Sequence, residues 1–379
     1  MQKHNLTFRE KAELGAMEKF GGRVKPFEPR IHAPLVDSFK KEITRAQGIS
    51  PGFSSCGFAL YSTGRNLRGT SGIAPYGMIY YDGDLLFSFG FFKRKGEEGT
   101  DRHYLTVVSP ASRGISSLSA AQRVRDFAYI MLDDEHLPVS GAYIRFLGPS
   151  AYHAFLDLGF APITGHPWHP LAPQEDETHC HCLLDLNEFV STDRKNYKKN
   201  ARNRFRNFLS RSGLSYGIVP FDEIEDSRSV AQDIVKRHFG FLRKKKKDIG
   251  STPEDYFNLA ESDVIALPQV HAHFGILSKG TRVLPVSFFV SERIGNQAMA
   301  GYATITLRDP DILLELGLNP EARGFSAISV ASLIHYIENI RDAGLSYFHV
   351  GGSETKDLDD MKRRLGAAED KTYWCVKLR

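Results

Sequence analysis

The 379-residue chain has only four cysteines, too few to staple a protein of this length, so the fold has to rest on a buried core in a reducing compartment. It lacks an apolar run of the roughly 18 residues that a membrane-spanning helix needs. Met1-Gln-Lys-His-Asn5 is not followed by the apolar stretch of a secretory leader. These absences lead us to expect a cytoplasmic protein without stable membrane insertion. No Gly-x-Ser-x-Gly elbow, complete P-loop or dinucleotide fingerprint after an opening strand is present, which sets hydrolase, ATPase and dehydrogenase chemistry aside. His179-Cys180-His181-Cys182 has metal-binding residue types, but a strand sends the two Cys to one face and the two His to the other. Four ligands therefore cannot converge, and no metal is expected.

With 41% hydrophobic and 25% charged residues, the chain can bury a core, and its length suits two domains of ordinary size. The net charge of +4 conceals an uneven distribution. Thirteen of the 49 basic residues lie in Arg194–Arg211 and Arg243–Lys247, and the other 36 face 45 acids, a balance of −9. No acid follows Asp193 within the first segment. A focused positive field attracts a polyanion.

The chain repeats itself. Pro110-Ala-Ser-Arg113-Gly114-Ile-Ser116 recurs 210 residues later as Pro320-Glu-Ala-Arg323-Gly324-Phe-Ser326. Strand pairs are expected before each copy, at Gly77–Tyr81 with Leu85–Phe92 and at Val283–Ser291 with Ala298–Thr306. A helix follows each copy, Leu118–Leu132 and Ile328–Ala343, then a short strand, Tyr143–Gly148 and Tyr347–Gly352, then a further helix. The expected organisation is an N-terminal arm over residues 1–50, a first domain over 51–165, and a proline-rich linker over 166–177. A second domain over 178–379 opens with a basic helix in 194–211. The fold class is α/β, with mixed sheets.

Between Lys195 and Leu209, Tyr197, Ala201, Phe205 and Phe208 form an apolar helical stripe. Lys195, Lys199, Arg202 and Arg206 form a basic one, and Asn196, Asn200, Asn203 and Asn207 a third. Two readings fit, a solvated face or a phosphate-backbone contact. The absence of acids at i,i+4 favours the second, since unrelieved like charges destabilise a helix. Lys244, Lys245 and Lys246 either touch the same polyanion or complement a helix C-terminus. Arg323, Gly324 and Ser326 have the logic of an anion-binding turn before a helix, and also of an ordinary cap.

The strand, hairpin, Pro-x-x-Arg-Gly-x-Ser, helix, strand order resembles the core of the GNAT acyltransferase superfamily. Ser326 and Ile328, like Ser116 and Leu118, stand where that family's pyrophosphate loop carries glycine or alanine, which opposes a normal coenzyme A site. Tyr347-Phe-His-Val-Gly351-Gly352-Ser353-Glu354, followed by Met361-Lys362-Arg363-Arg364-Leu365-Gly366, resembles the ending of Fem-type aminoacyltransferases. The basic stretch from Tyr197 to Phe205 resembles the helix opening the second unit in the soluble domain of phosphatidylglycerol lysyltransferases.

The resemblance implies two tandem GNAT-like domains. It also implies transfer of an amino acid from aminoacyl-tRNA, as donor substrate and without a resident cofactor, to an amine or hydroxyl of a peptide, lipid or small molecule. It points to Gly351, Gly352 and Ser353 as substrate-binding, to Lys362 as stabilising the donor phosphate or the oxyanion, and to Tyr302 as an acid, while Lys362 also reads as a lysine on an exposed helix face and Tyr302 as a half-buried strand tyrosine. Glu354 either binds an α-amino group or accepts a proton, or else it is a first-turn acid favouring the helix dipole. Two other functions remain open. One is an acyl-coenzyme A N-acyltransferase with an altered loop, and the other is a non-catalytic module binding RNA or an anionic membrane surface.

Overall fold

A computed structural model describes residues 6–46, 52–61, 76–95, 101–163, 181–191, 196–245, 253–294, 297–341, 344–351, 356–370 and 373–379. The chain divides into two units, residues 1–178 together with 371–379, and residues 179–370. Through residue 163 the elements are α1 (Phe8–Phe20), β1 (Val24–Pro26), α2 (Pro29–Ala46), α3 (Ser55–Tyr61), β2 (Met78–Tyr81), β3 (Leu85–Lys95), β4 (Asp101–Ser112), α4 (Ser117–Leu132), β5 (Val139–Leu147), α5 (Pro149–Asp157) and β6 (Ala161–Pro162). The second unit contains β7 (His181–Asp185), α6 (Leu186–Ser191), α7 (Tyr197–Ser212), β8 (Ser215–Pro220), α8 (Ser227–Lys244), α9 (Pro253–Glu261), β9 (Val270–Lys279), β10 (Arg282–Arg293), β11 (Ala298–Thr306), α10 (Ile328–Arg341), β12 (Tyr347–His349), α11 (Lys356–Leu365) and β13 (Ala368–Glu369). The last strand is β14 (Tyr373–Leu378).

Each unit holds a seven-stranded sheet, in the orders β1-β2-β3-β4-β5-β14-β6 and β8-β9-β10-β11-β12-β7-β13. In each, neighbouring strands are antiparallel except the fourth and fifth, β4 with β5 and β11 with β12, which run parallel. A parallel pair needs a crossover, and α4 and α10 supply it. The repeat is therefore physical: position by position, the two sheets have the same plan.

Residues 371–379, assigned by the sequence to the second domain, belong to the first unit. There β14 lies between β5 and β6, with Trp374, Cys375 and Val376 buried. In the second sheet the same place is held by β7, which follows β6 in the chain. Chain order hid this exchange because nothing in a strand's composition names its sheet.

Residues 1–50, expected as an arm, begin with α1, whose Thr7 and Glu10 form a reciprocal capping box. Ala12 and Ala16 lie in the first core, and β1 pairs with β2. The buried ion pair Arg9–Glu13, 2.7 Å, shares that inward side. β4 was also missed. The strand pair before the first Arg-Gly turn is β3 with β4, and Pro110 lies inside β4 beside Ser109, whose φ is 45°. The register slips there, so a proline expected in a turn sits in a bulge.

The first core is aromatic. Phe87, Phe89 and Phe91 alternate along β3 into it, with Phe87 and Phe89 against Phe127 of α4 and Phe91 edge-on to Phe89. In the second, Met299, Phe289, Ile334, Ile337, Phe348 and Leu365 pack together. Among the described residues no helix is long and apolar enough to cross a membrane.

Candidate functional site

The parallel ladder between β11 and β12 is short. Ala298, Met299 and Ala300 pair with Tyr347, Phe348 and His349, and beyond Ala300 the edge of β11 has no partner on that side among the described strands. Two features open the sheet here. Gly301 lies against Phe348, where an added Cβ would be 3.0 Å from the ring, so glycine lets the strands approach closely before they part. Next to it, Ser291 of β10 faces Gly301 while Val290 faces Ala303, leaving Tyr302 as the extra residue of a bulge. Tyr302 is buried, and Thr304 beyond it is exposed.

At the closed end of this opening, β12 runs into Gly351, which is left-handed with φ of 72°. Both of its backbone polar groups are held. The Gly351 N–H donates to His349 Nδ1 at 3.1 Å, and the Lys362 ammonium donates to the Gly351 carbonyl at 2.6 Å. Lys362 is 5% exposed. The sequence offered this lysine as a solvent-facing or substrate-facing cation, but its charge acts inside the fold, on the turn after β12.

His349 is fully buried, and burial first, then the Lys362 charge, pushes its pKa down to about 3. It is therefore neutral, and accepting at Nδ1 puts its proton on Nε2. That Nε2 lies 3.8 Å from Asp370 Oδ2, and neither atom has a hydrogen-bond partner among the described residues. Burial raises the Asp370 carboxyl above the usual carboxylate range. His349 lies inside the Tyr-Phe-His-Val-Gly stretch noted above, but only the buried register and the Gly351 contact reveal its part. Asp370 gave no sequence signal.

Gly352, Ser353 and Glu354 lie outside the described residues, as do Lys195 and Lys246. The Arg323 turn is described. Gly324 is left-handed at φ of 99°, and an added Cβ would be 2.9 Å from the Arg204 carbonyl of α7. Phe325 is buried against Phe208, with rings 5.7 Å apart, while Arg323 and Ser326 are exposed. In the second unit this turn docks the basic helix. In the first unit Ser116 caps α4 and Arg113 lies over the Phe39 ring of α2.

The helix α7 carries its apolar stripe as expected, with Ala201, Phe205 and Phe208 buried. Lys198 is buried too, donating to the Phe189 carbonyl and lying 4.2 Å from that ring. Lys199, Asn200, Asn203, Arg204, Arg206, Asn207 and Arg211 are exposed. Arg202 is ion-paired with Glu338 of α10, so the acid missing from α7 comes from its neighbour. Between these helices lies a groove of about 370 Å³ lined by Arg202, Phe205, Arg206, Leu209, His335 and Glu338. Burial lowers the pKa of His335, and the Arg202 and Arg206 charges add to that effect while Glu338 opposes it. Lys244 pairs with Asp309 at 3.9 Å, and Lys245 lies 5.7 Å from the Phe241 ring, both at the end of α8. Among the described residues no group of His, Cys, Asp and Glu could hold a metal ion.

No protein-family model matches the chain, and no curated protein does. Solved structures do. A conserved protein of unknown function from Bacteroides thetaiotaomicron is 12% identical, covers 93% of this chain and 98% of its own, and has a TM-score of 0.56. That likeness is one of fold. Looser matches are the C-terminal domain of a putative lysylphosphatidylglycerol synthetase from Agrobacterium fabrum, 12% identical over 79% of this chain and 83% of that one with a TM-score of 0.46, and a tandem GNAT protein from the clavulanic acid biosynthesis pathway, 10% identical over 79% and 82% with a TM-score of 0.42. The chain has the α/β fold expected of it, in two units that each follow the same order of strands, turn, helix and strand.

Proposed function

We propose that the chain is an acyltransferase of GNAT-like fold that takes an amino acid from aminoacyl-tRNA and transfers it to an amine or hydroxyl of a peptide, lipid or small molecule. The observation that carries this reading is the opening between β11 and β12, bordered by the Tyr302 bulge and the clamped Gly351 turn, in the unit that also carries the acid-free basic face of α7. Acyl transfer needs a neutral nucleophile, an ester carbonyl, and donors aimed at the developing oxyanion. A parted parallel pair offers a strand edge whose backbone is not used up by the sheet, where a donor's acyl chain can lie.

As the acceptor's amine or hydroxyl bonds to the ester carbonyl carbon and the acyl–ribose C–O bond breaks, Tyr302 gives its proton to the leaving ribose oxygen, and the proton released by the acceptor restores the phenol. Glu354 takes the donor's α-amino group, and Gly352 and Ser353 line the acyl pocket. Lys362 works through Gly351, holding the backbone at the end of β12. Lys195, Lys199, Arg206 and the exposed asparagines of α7 track the RNA backbone, where charge and amide hydrogen bonds fix position without reading sequence. Lys244, Lys245 and Lys246 extend this field.

Acyl-coenzyme A is the less favoured donor, since the Arg323–Ser326 turn, where a pyrophosphate would bind, packs Gly324 and Phe325 against α7. Incubating the protein with total charged tRNA and following ester loss, with and without ribonuclease, tests the proposal. Ribonuclease-sensitive transfer is the expected result. Ribonuclease-insensitive turnover of acyl-coenzyme A would replace it with the coenzyme A reading, and RNA binding without ester loss would leave a binding module.

A further inference from the structure

The groove between α7 and α10 differs from the open face of α7. Its lining combines the apolar Phe205 and Leu209 with the charged Arg202 and Arg206, the imidazole of His335, and Glu338 as the acid. Arg202 is held by Glu338, yet its Nε is buried without a hydrogen-bond partner among the described residues. A buried guanidinium N–H left unpaired costs more than a surface one, so the site has a donor that its own acid does not satisfy. The groove's volume of about 370 Å³ falls in the range of small-ligand clefts.

We infer that this groove takes one nucleotide unit of a single-stranded RNA segment, with its phosphate against Arg202, Arg206 and His335 and its sugar on Phe205 and Leu209, and that Glu338 holds Arg202 until the phosphate displaces it. A planar guanidinium binds phosphate oxygens in pairs. Glu338 is a carboxylate in the position of that phosphate. Its carboxylate holds the arginine and sets a competition that RNA has to win. The proposal rests on the functional reading above only in taking RNA as the polyanion.

The test uses the full chain and a fluorescein-labelled single-stranded RNA of about ten nucleotides, a length typical of single-strand sites, with binding read by fluorescence anisotropy across a salt series. Glu338→Gln removes the competitor and is expected to tighten binding about two- to fivefold, the range given by releasing an ion pair at a partly exposed site. Arg206→Ala, at an exposed position that the fold does not need, is expected to weaken binding and lower the salt slope by about one charge. Unchanged or weaker binding by folded Glu338→Gln overturns the proposal. Should that variant not fold, unchanged affinity and slope in Arg206→Ala overturn it instead. Preferential binding of the wild type to phosphatidylglycerol vesicles over RNA also overturns it. RNA binding that tightens in Glu338→Gln without ester transfer keeps the groove and removes the proposed reaction, while transfer from tRNA with groove variants unaltered does the reverse.

Discussion

Acid should destabilise the second unit steeply, and two buried histidines set the size of the effect. Burial holds His349 down at about 3 and His238 at about 4, against an unfolded value of about 6.5. The unfolded chain binds more protons than the folded one between these values. Stability is therefore full above about pH 6.5 and is lost as pH falls toward the folded pKa values. Linkage between pH 7 and pH 5 gives a loss of about 2 kcal/mol for each histidine, about 4 kcal/mol together, against a typical total of about 5 to 15 kcal/mol. The half-buried His271, His273 and His335 shift in the same direction. Asp370, raised by burial, acts with the opposite sign, favouring the folded state as its carboxyl protonates, in a window that begins near the ordinary Asp value.

Urea unfolding of the full chain at pH 7 and pH 5, followed by far-UV circular dichroism, measures the loss. His349→Asn keeps an acceptor for the Gly351 N–H, and His238→Asn keeps a donor for the Thr306 carbonyl, which His238 Nδ1 contacts at 3.0 Å. Neither asparagine titrates. Each variant should remove about 2 kcal/mol of the pH 7 to pH 5 difference, whatever it costs at pH 7. A double variant with the same acid sensitivity as the wild type would refute the reasoning.

Three substitutions probe the rest of the site and the fold. Lys362→Met keeps the length of the buried stem but leaves the Gly351 carbonyl without its ammonium, and should cost about 1.5 to 3 kcal/mol in chemical denaturation; a neutral result would mean that the turn does not depend on the lysine. Gly324→Ala meets both a left-handed φ and the Arg204 carbonyl, so it should lower stability by at least about 1 kcal/mol and loosen α7, read as faster amide exchange along that helix. Trp374→Ala empties the place of a buried side chain on β14 over which the Arg145 guanidinium lies at 4.1 Å, and should cost about 3 to 5 kcal/mol, so expression of a stable variant would contradict the assignment of β14 to the first core.

Patterns that depend on local chemistry were legible in the sequence. The Pro-x-x-Arg-Gly-x-Ser repeat located both crossover helices, and the apolar stripe on α7 matches its buried face. What could not be read depends on tertiary partners. The acid for Arg202 comes from α10, the partner for β5 comes from the last residues of the chain, and Lys198 is buried despite lying in a basic run. Lys362 illustrates the limit most clearly: its position in a motif was visible, but whether its ammonium faces a substrate or the Gly351 carbonyl is decided by how α11 packs. His349 was masked in another way, since a histidine in a short strand has no periodicity that separates a neutral buried ring from a surface one.

The most direct test of the account is a single-turnover measurement of aminoacyl ester decay, with excess protein over charged tRNA and an acceptor pool supplied. The account predicts ribonuclease-sensitive decay with the amino acid recovered on an acceptor, and a slower decay at saturating RNA in folded Lys362→Met with unaltered tRNA affinity. Ester that persists in the presence of RNA-bound wild-type protein, with every acceptor class tried, would contradict it.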